Sequence, residues 1–201
     1  MKVSGSRVAQ HRAALVATAR RLLQERGFAG AGVADISREA GLTQGALYSQ
    51  FKSKDALARE ALCQAAAESA EAWRGLRDGA AEPFKAFLDA YLCDTHVEDS
   101  GSGCLMAACV SDVARQDPAI AQAFARAVRD FAALIAEALP EGMPPALAER
   151  RALAVATALV GAVATARAVR KADPALSRDI IAAARDSLER LAAGTDGGET
   201  G

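Results

Sequence analysis

Residues 33–51, Val33-Ala-Asp-Ile36-Ser-Arg-Glu-Ala-Gly41-Leu-Thr43-Gln-Gly-Ala-Leu47-Tyr-Ser-Gln-Phe51, decide the fold. Two very short helices are predicted. Val33 to Ala40 turns Val33, Ile36 and Ala40 inward, and Gln44 to Phe51 turns Leu47 and Phe51 inward. Gly41-Leu42-Thr43 is the turn between them. Gly41 supplies a backbone able to take positive φ, and Leu42 plugs the small core beside Ile36 and Leu47. Thr43 caps the second helix. That helix presents Gln44, Gly45, Ala46, Tyr48, Ser49 and Gln50, all small or hydrogen-bonding, with no carboxylate. A surface of this kind suits the phosphate backbone and groove edges of a duplex. Lys52 and Lys54 follow at once, Lys54 at the start of the next helix.

Working outward, breakers cut the chain into about nine helical stretches. The first runs from about Ser6 to Arg26 on the stripe Leu15, Ala19, Leu22, Leu23. Gly27 ends it, and Phe28 turns into the core. Ser53 caps a long helix from Lys54 to about Arg77. Further helices are expected from Pro83 to about His96, Cys104 to Arg115, Pro118 to about Leu139, Ala146 to about Lys171, and Pro174 to about Ala193. The segment Ala152 to Ala166, mostly Ala and Val, reads as a buried helix with small side chains. It is shorter than the ~18 apolar residues that mark a membrane span. The fold class is therefore all-α. A helix-turn-helix domain over residues 1–52 precedes a larger helical domain over 53–193, with 194–201 as a disordered tail.

Composition agrees. Of 201 residues, 51 are Ala, and aromatics make up 4%. Ala loses no side-chain entropy in a helix, so this mix disfavours a β-sandwich. The net charge of −1 hides an asymmetry. Residues 1–60 hold 10 Lys/Arg against 5 Asp/Glu, and the remainder holds 14 against 20. A basic head on an acidic body fits polyanion binding at one end and another task at the other. Cys63, Cys93, Cys104 and Cys109 form no Cys-x-x-Cys, and Arg20 and Arg21 interrupt the first apolar stretch. The expected compartment is a reducing cytoplasm, with no membrane partner.

From Gly27-Phe28 through Val33 to Leu57, the sequence resembles the DNA-binding region of the TetR family of bacterial regulators. The gapless run Gly41-Leu-Thr-x-Gly45-x-Leu47-Tyr48-x-x-Phe51-x-Ser53-Lys54 carries the likeness. The resemblance implies a three-helix DNA-binding head, a ligand-binding body, and a homodimer paired through the last two helices. It implies that Thr43, Tyr48, Ser49 and Lys54 lie at phosphates, and that Gln44, Gly45 and Gln50 lie nearer base edges. Many relatives carry Thr where this chain has Gly32, and His where it has Ser49 or Gln50. The implied function is a repressor on a double-stranded operator, released by a small-molecule effector.

For the effector pocket, Trp73, Phe84, Phe87, Tyr91, Met106, Val110, Phe124, Val128 and Phe131 are the candidate lining, although such stripes are more often plain core. Cys104 follows Gly103 at a helix start, where the amide dipole favours thiolate. One branch of the family carries Gly-Cys-Leu here and includes members that sense electrophiles through that thiol. Cys93 and His96, at i, i+3 spacing, are too few ligands for a zinc site. No cofactor loop, metal motif or catalytic elbow occurs, so no cofactor and no catalysis are expected. Two rival readings stand beside this one. The first is a small all-α thiol enzyme built on Cys104, with only His11 and His96 as bases. The second is a helical adaptor whose head binds protein.

Overall fold

The computed structural model describes residues 5–99, 101 and 103–193. The segment 194–201, expected to be a disordered tail, lies outside the described residues. All regular structure among the described residues is helical. The ten helices are α1 (Gly5–Gly30), α2 (Val33–Glu39), α3 (Gln44–Gln50), α4 (Lys54–Gly79), α5 (Pro83–Tyr91), α6 (Asp94–Glu98), α7 (Leu105–Val113), α8 (Pro118–Ala136), α9 (Pro145–Arg170) and α10 (Pro174–Ala193).

The count exceeds the expected nine because the helix begun at Pro83 breaks early. Leu92 (φ −95°, ψ 58°) and Cys93 (φ −119°, ψ 158°) leave the helical region, and a short α6 follows. The break frees the Tyr91 carbonyl, and the His96 ring takes it at 2.8 Å. α1 runs on through Gly27, but at Gly27 the backbone turns over (φ 67°, ψ −177°). The predicted stop is thus present as a break inside the element.

The chain divides into two compact units, Met1–Ala65 with Ser100–Ala127 and Ala66–Asp99 with Val128–Gly201. In the first, α1 contributes Leu15, Val16, Ala19, Leu22 and Leu23 to a core completed by Phe28, Ile36, Leu47, Phe51 and Leu57. α7 adds Leu105, Cys109 and Val113. Each large side chain here is at most 6% exposed, and such burial stabilises by about 1.5–3 kcal/mol per side chain.

Polar links also join α1 to α7 and the residues before it. The Gln24 side-chain amide donates to the Gly103 carbonyl at 2.5 Å. The Cys109 thiol lies 4.0 Å from the Leu23 carbonyl. The Phe28 N–H, released from the helix by Gly27, donates to the Asp112 carboxylate at 3.1 Å.

In the second unit α9 packs on α10, with the Ser177 hydroxyl donating to the Ala166 carbonyl at 3.0 Å inside the contact. α9 buries Ala152, Val155, Ala156, Leu159, Val163 and Ala166 on one face only. Its other face exposes Leu153, Thr157, Gly161 and Thr165 at successive turns. The sequence reading of a buried helix holds for one face only. α9 is also long and apolar enough to cross a membrane by length and composition, with 39% of its most apolar window buried. The two threonines do not make this face polar. Thr157 bonds back to Leu153 and Ala154, and Thr165 to Gly161, so their hydroxyl protons are spent on their own helix.

Candidate nucleic-acid interface

The turn between α2 and α3 closes as a Schellman motif. Gly41 sits at φ +69°, its N–H bonds to the Arg38 carbonyl at 3.0 Å, and the Leu42 N–H reaches back to Ser37 at 2.8 Å. Leu42 then packs on the core of the first unit. Thr43 (φ −84°, ψ 157°) is the N-cap of α3, its hydroxyl accepting from the Ala46 N–H at 3.1 Å. Gly32 occupies the N-cap of α2 without a side-chain bond, as a glycine must.

α3 buries Leu47 completely and leaves the opposite face open. Gln44, Gly45 and Ser49 are exposed, Gln50 is half-buried, and Tyr48 is 56% exposed. A large aromatic left this open beside a buried Leu is not core packing. The Ser49 hydroxyl donates to the Ala46 carbonyl at 2.7 Å. Lys54 is placed differently. Its ammonium is half-buried and donates to the Phe28 carbonyl, which ties the start of α4 to the end of α1. Phe28 is thus held at both of its main-chain polar atoms, the N–H by Asp112 of α7 and the carbonyl by Lys54 of α4.

Sequence reasoning missed Arg12. Its guanidinium lies 4.3 Å over the Phe51 ring, donates to the Gln50 carbonyl at 2.9 Å, and pairs with Glu60 of α4. A signal was available, since Arg12 falls in phase with the apolar stripe Leu15, Ala19, Leu22. Glu39 is gripped from α1 by Arg21 (2.5 Å) and Arg26 (3.0 Å), which hold its carboxyl below the usual range despite opposing desolvation.

The expected pocket residues separate. Trp73, Phe87, Tyr91 and Phe131 form one aromatic cluster in the second unit, with ring centroids 4.2 Å apart for Trp73–Phe87 and 5.6 Å for Tyr91–Phe131. His96 meets Tyr91 edge-on at 4.5 Å. Burial, aided by the charge of Arg167 and opposed by the Tyr91 carbonyl, pushes the His96 pKa down. Val128 also belongs to this unit. Phe84 lies apart from the rings, lining an open recess of about 580 Å³ with Leu139 and Pro140. Cys104, Met106, Val110 and Phe124 belong to the first unit, and Val110 is 43% exposed.

All four cysteines stand as thiols. Cys104 is half-buried at the N-cap of α7, whereas Cys109 is fully buried and its thiol is pushed up to about 12, mainly by desolvation. Cys93 bonds to the Ala90 carbonyl at 3.3 Å, and among the described residues no three metal-ligating side chains converge.

Comparison with known proteins agrees with this layout. Residues 15–61 match the family model of bacterial regulatory proteins of the tetR family, and residues 80–177 match the C-terminal domain of LmrA/YxaF-like transcriptional regulators. No curated protein matches the sequence. Among solved structures, the fold is similar to reduced Escherichia coli NemR (TM-score 0.74, 22% identity, 90% of this chain and 95% of that one). It is also similar to a TetR regulator from Chloroflexus aurantiacus (TM-score 0.73, 21% identity, 94% and 95%). A third is a regulator from Pseudomonas aeruginosa (TM-score 0.70, 24% identity, 93% and 92%). With its head matched by one model of the family and its body by another, the chain is a TetR-family transcriptional regulator.

Proposed function

We propose that this regulator is a cytoplasmic, dimeric repressor, a binding protein and not an enzyme, that leaves its operator when an effector binds the body. The observation that carries the proposal is the open face of α3: a carboxylate-free surface with Tyr48 standing 56% exposed, on a helix capped and buried on its other side. Thr43, Tyr48 and Ser49 are assigned to phosphates, Ser49 by exchanging the Ala46 carbonyl for a phosphate oxygen, and Gln44, Gly45 and Gln50 to base edges, where a Gln–adenine pair discriminates by about 1–3 kcal/mol. Lys54 is assigned to the same phosphate track through its position at the start of α4, with its ammonium exchanging the Phe28 carbonyl for a phosphate oxygen.

Dimerisation is assigned to the exposed apolar face of α9 together with α10. A symmetric pair places two α3 helices at successive major grooves, ~34–36 Å apart. An effector must bind the DNA-competent and released shapes unequally. An apolar or weakly polar effector is assigned to the body, where Trp73, Phe87, Tyr91 and Phe131 cluster. The half-buried Cys104 favours an electrophile acting at its thiol, since Cys109 at a pKa of about 12 stays protonated.

A gel shift with DNA from upstream of the protein's own gene tests the reading, run with and without a thiol-reactive compound on the native chain and on Cys104→Ser. Retardation by the native chain is expected, with release by the reagent in the native chain alone. Absence of any shift overturns the DNA-binding reading, and equal release in both chains overturns the role of Cys104.

A further inference from the structure

We infer that Arg12, on α1, is the positioning residue that sets the angle and register of α3, and through it the selectivity of the base contacts at Gln50; the inference rests on α3 being the DNA-reading helix. α3 has only seven residues, so its C-terminal carbonyls have little helix to bond to. The Phe51 N–H takes the Leu47 carbonyl at 2.9 Å, and the chain then turns extended at Phe51 (φ −132°, ψ 130°). The Gln50 carbonyl points out of the helix end. Arg12 meets it at 2.9 Å, a charge-assisted bond at the negative end of the helix dipole. The same guanidinium sits over the Phe51 ring, its carbon 4.3 Å from the centroid, and Phe51 is 4% exposed, so the ring is itself fixed in the core. Its Nη2 is held by Glu60, in the second turn of α4.

One planar side chain therefore fastens α1 and α4 to the last residue and the C-cap of α3. Lys cannot reproduce this, because a point charge has neither the fork nor the stacking face. Arg12 touches the backbone of Gln50 and leaves its side chain available. The predicted consequence is specific. Loss of Arg12 frees the C-terminal end of α3, so contacts that need angular precision suffer and contacts that need only positive charge do not.

The test uses the full chain. A duplex is selected from a random-sequence library by the native protein, and binding to it is compared with binding to sonicated genomic DNA over a range of salt. Arg12→Ala and Arg12→Lys are both expected to lose tenfold or more on the selected duplex. On bulk DNA the loss should stay under twofold, and the dependence of log K on log salt should be unchanged. Gln50→Ala should cost little when added to Arg12→Ala, since the side chain is already misplaced. Should Arg12→Ala not fold, Arg12→Lys and Glu60→Gln carry the test, with threefold or greater loss of selectivity expected.

Equal weakening on both DNAs with a salt slope lower by about 1 would make Arg12 a phosphate contact and overturn the inference. Equal weakening in step with a lower melting temperature would make it merely structural and overturn the inference as well. If the native chain enriches no sequence, the DNA-reading role of α3 itself falls. If it does and the variants bind as native, only the role of Arg12 falls.

Discussion

His96 is the residue whose protonation the fold resists. It is half-buried against Tyr91, with Arg167 bonded to its own carbonyl at 2.7 Å, and its pKa in the folded chain is lowered. The unfolded chain therefore binds the proton more readily. Stability is full above pH ~6.5, the unfolded histidine value, and falls as the pH drops through that value toward the folded one. A melting temperature that declines below pH ~6.5 in the native chain, and a shallower decline in His96→Asn, is expected from thermal melts across about pH 5–8. Thr43 offers a second measurement. Thr43→Ala leaves the Ala46 N–H without its cap and should cost about 1 kcal/mol of stability in a denaturant titration. The cap was legible because Thr stands one place before a short amphipathic helix. The seat of Lys54 was not, because the carbonyl it holds belongs to Phe28, 26 positions earlier, and only the folded chain brings them together.

At the level of elements, the break in α1 carries the most information. Gly27 holds a left-handed φ of 67°, and a Cβ there would stand 2.6 Å from an Asp112 oxygen. Gly27→Ala should therefore cost more than the ~1 kcal/mol of the backbone alone, measured by chemical denaturation. Asp112→Asn, which keeps the oxygen acceptor but loses the charge, should cost less. Gly27 as a stop was readable from the sequence, but its bond to α7 was not, since Asp112 lies 84 positions from Phe28. The division of α5 from α6 was hidden for a different reason. Neither Leu92 nor Cys93 is a breaker by type, and the bend there is bound to the Tyr91 carbonyl taken by His96. The helix-turn-helix was the easiest element to foresee, because Gly41, Leu42 and Thr43 each fill a position that only a few residue types satisfy.

For the whole molecule, the open face of α9 predicts assembly. Gly161 has nothing within 4 Å of where a Cβ would lie, so Gly161→Arg is compatible with the folded chain and incompatible with a close partner helix. Sedimentation should show a dimer for the native chain and a monomer for Gly161→Arg, with operator affinity lost alongside. The aromatic residues of the body were legible as a group but not in their division, because apolar spacing does not say which helices will share a unit. The main chain of Phe28 and both of its partners lie within the first of those units. Gripped on one side by α7 and on the other by α4, it behaves as an untagged beacon. In a nitrogen-15-labelled protein its amide proton stays shielded from solvent exchange while α7 is seated. A ligand that displaced α7 would register at that single resonance.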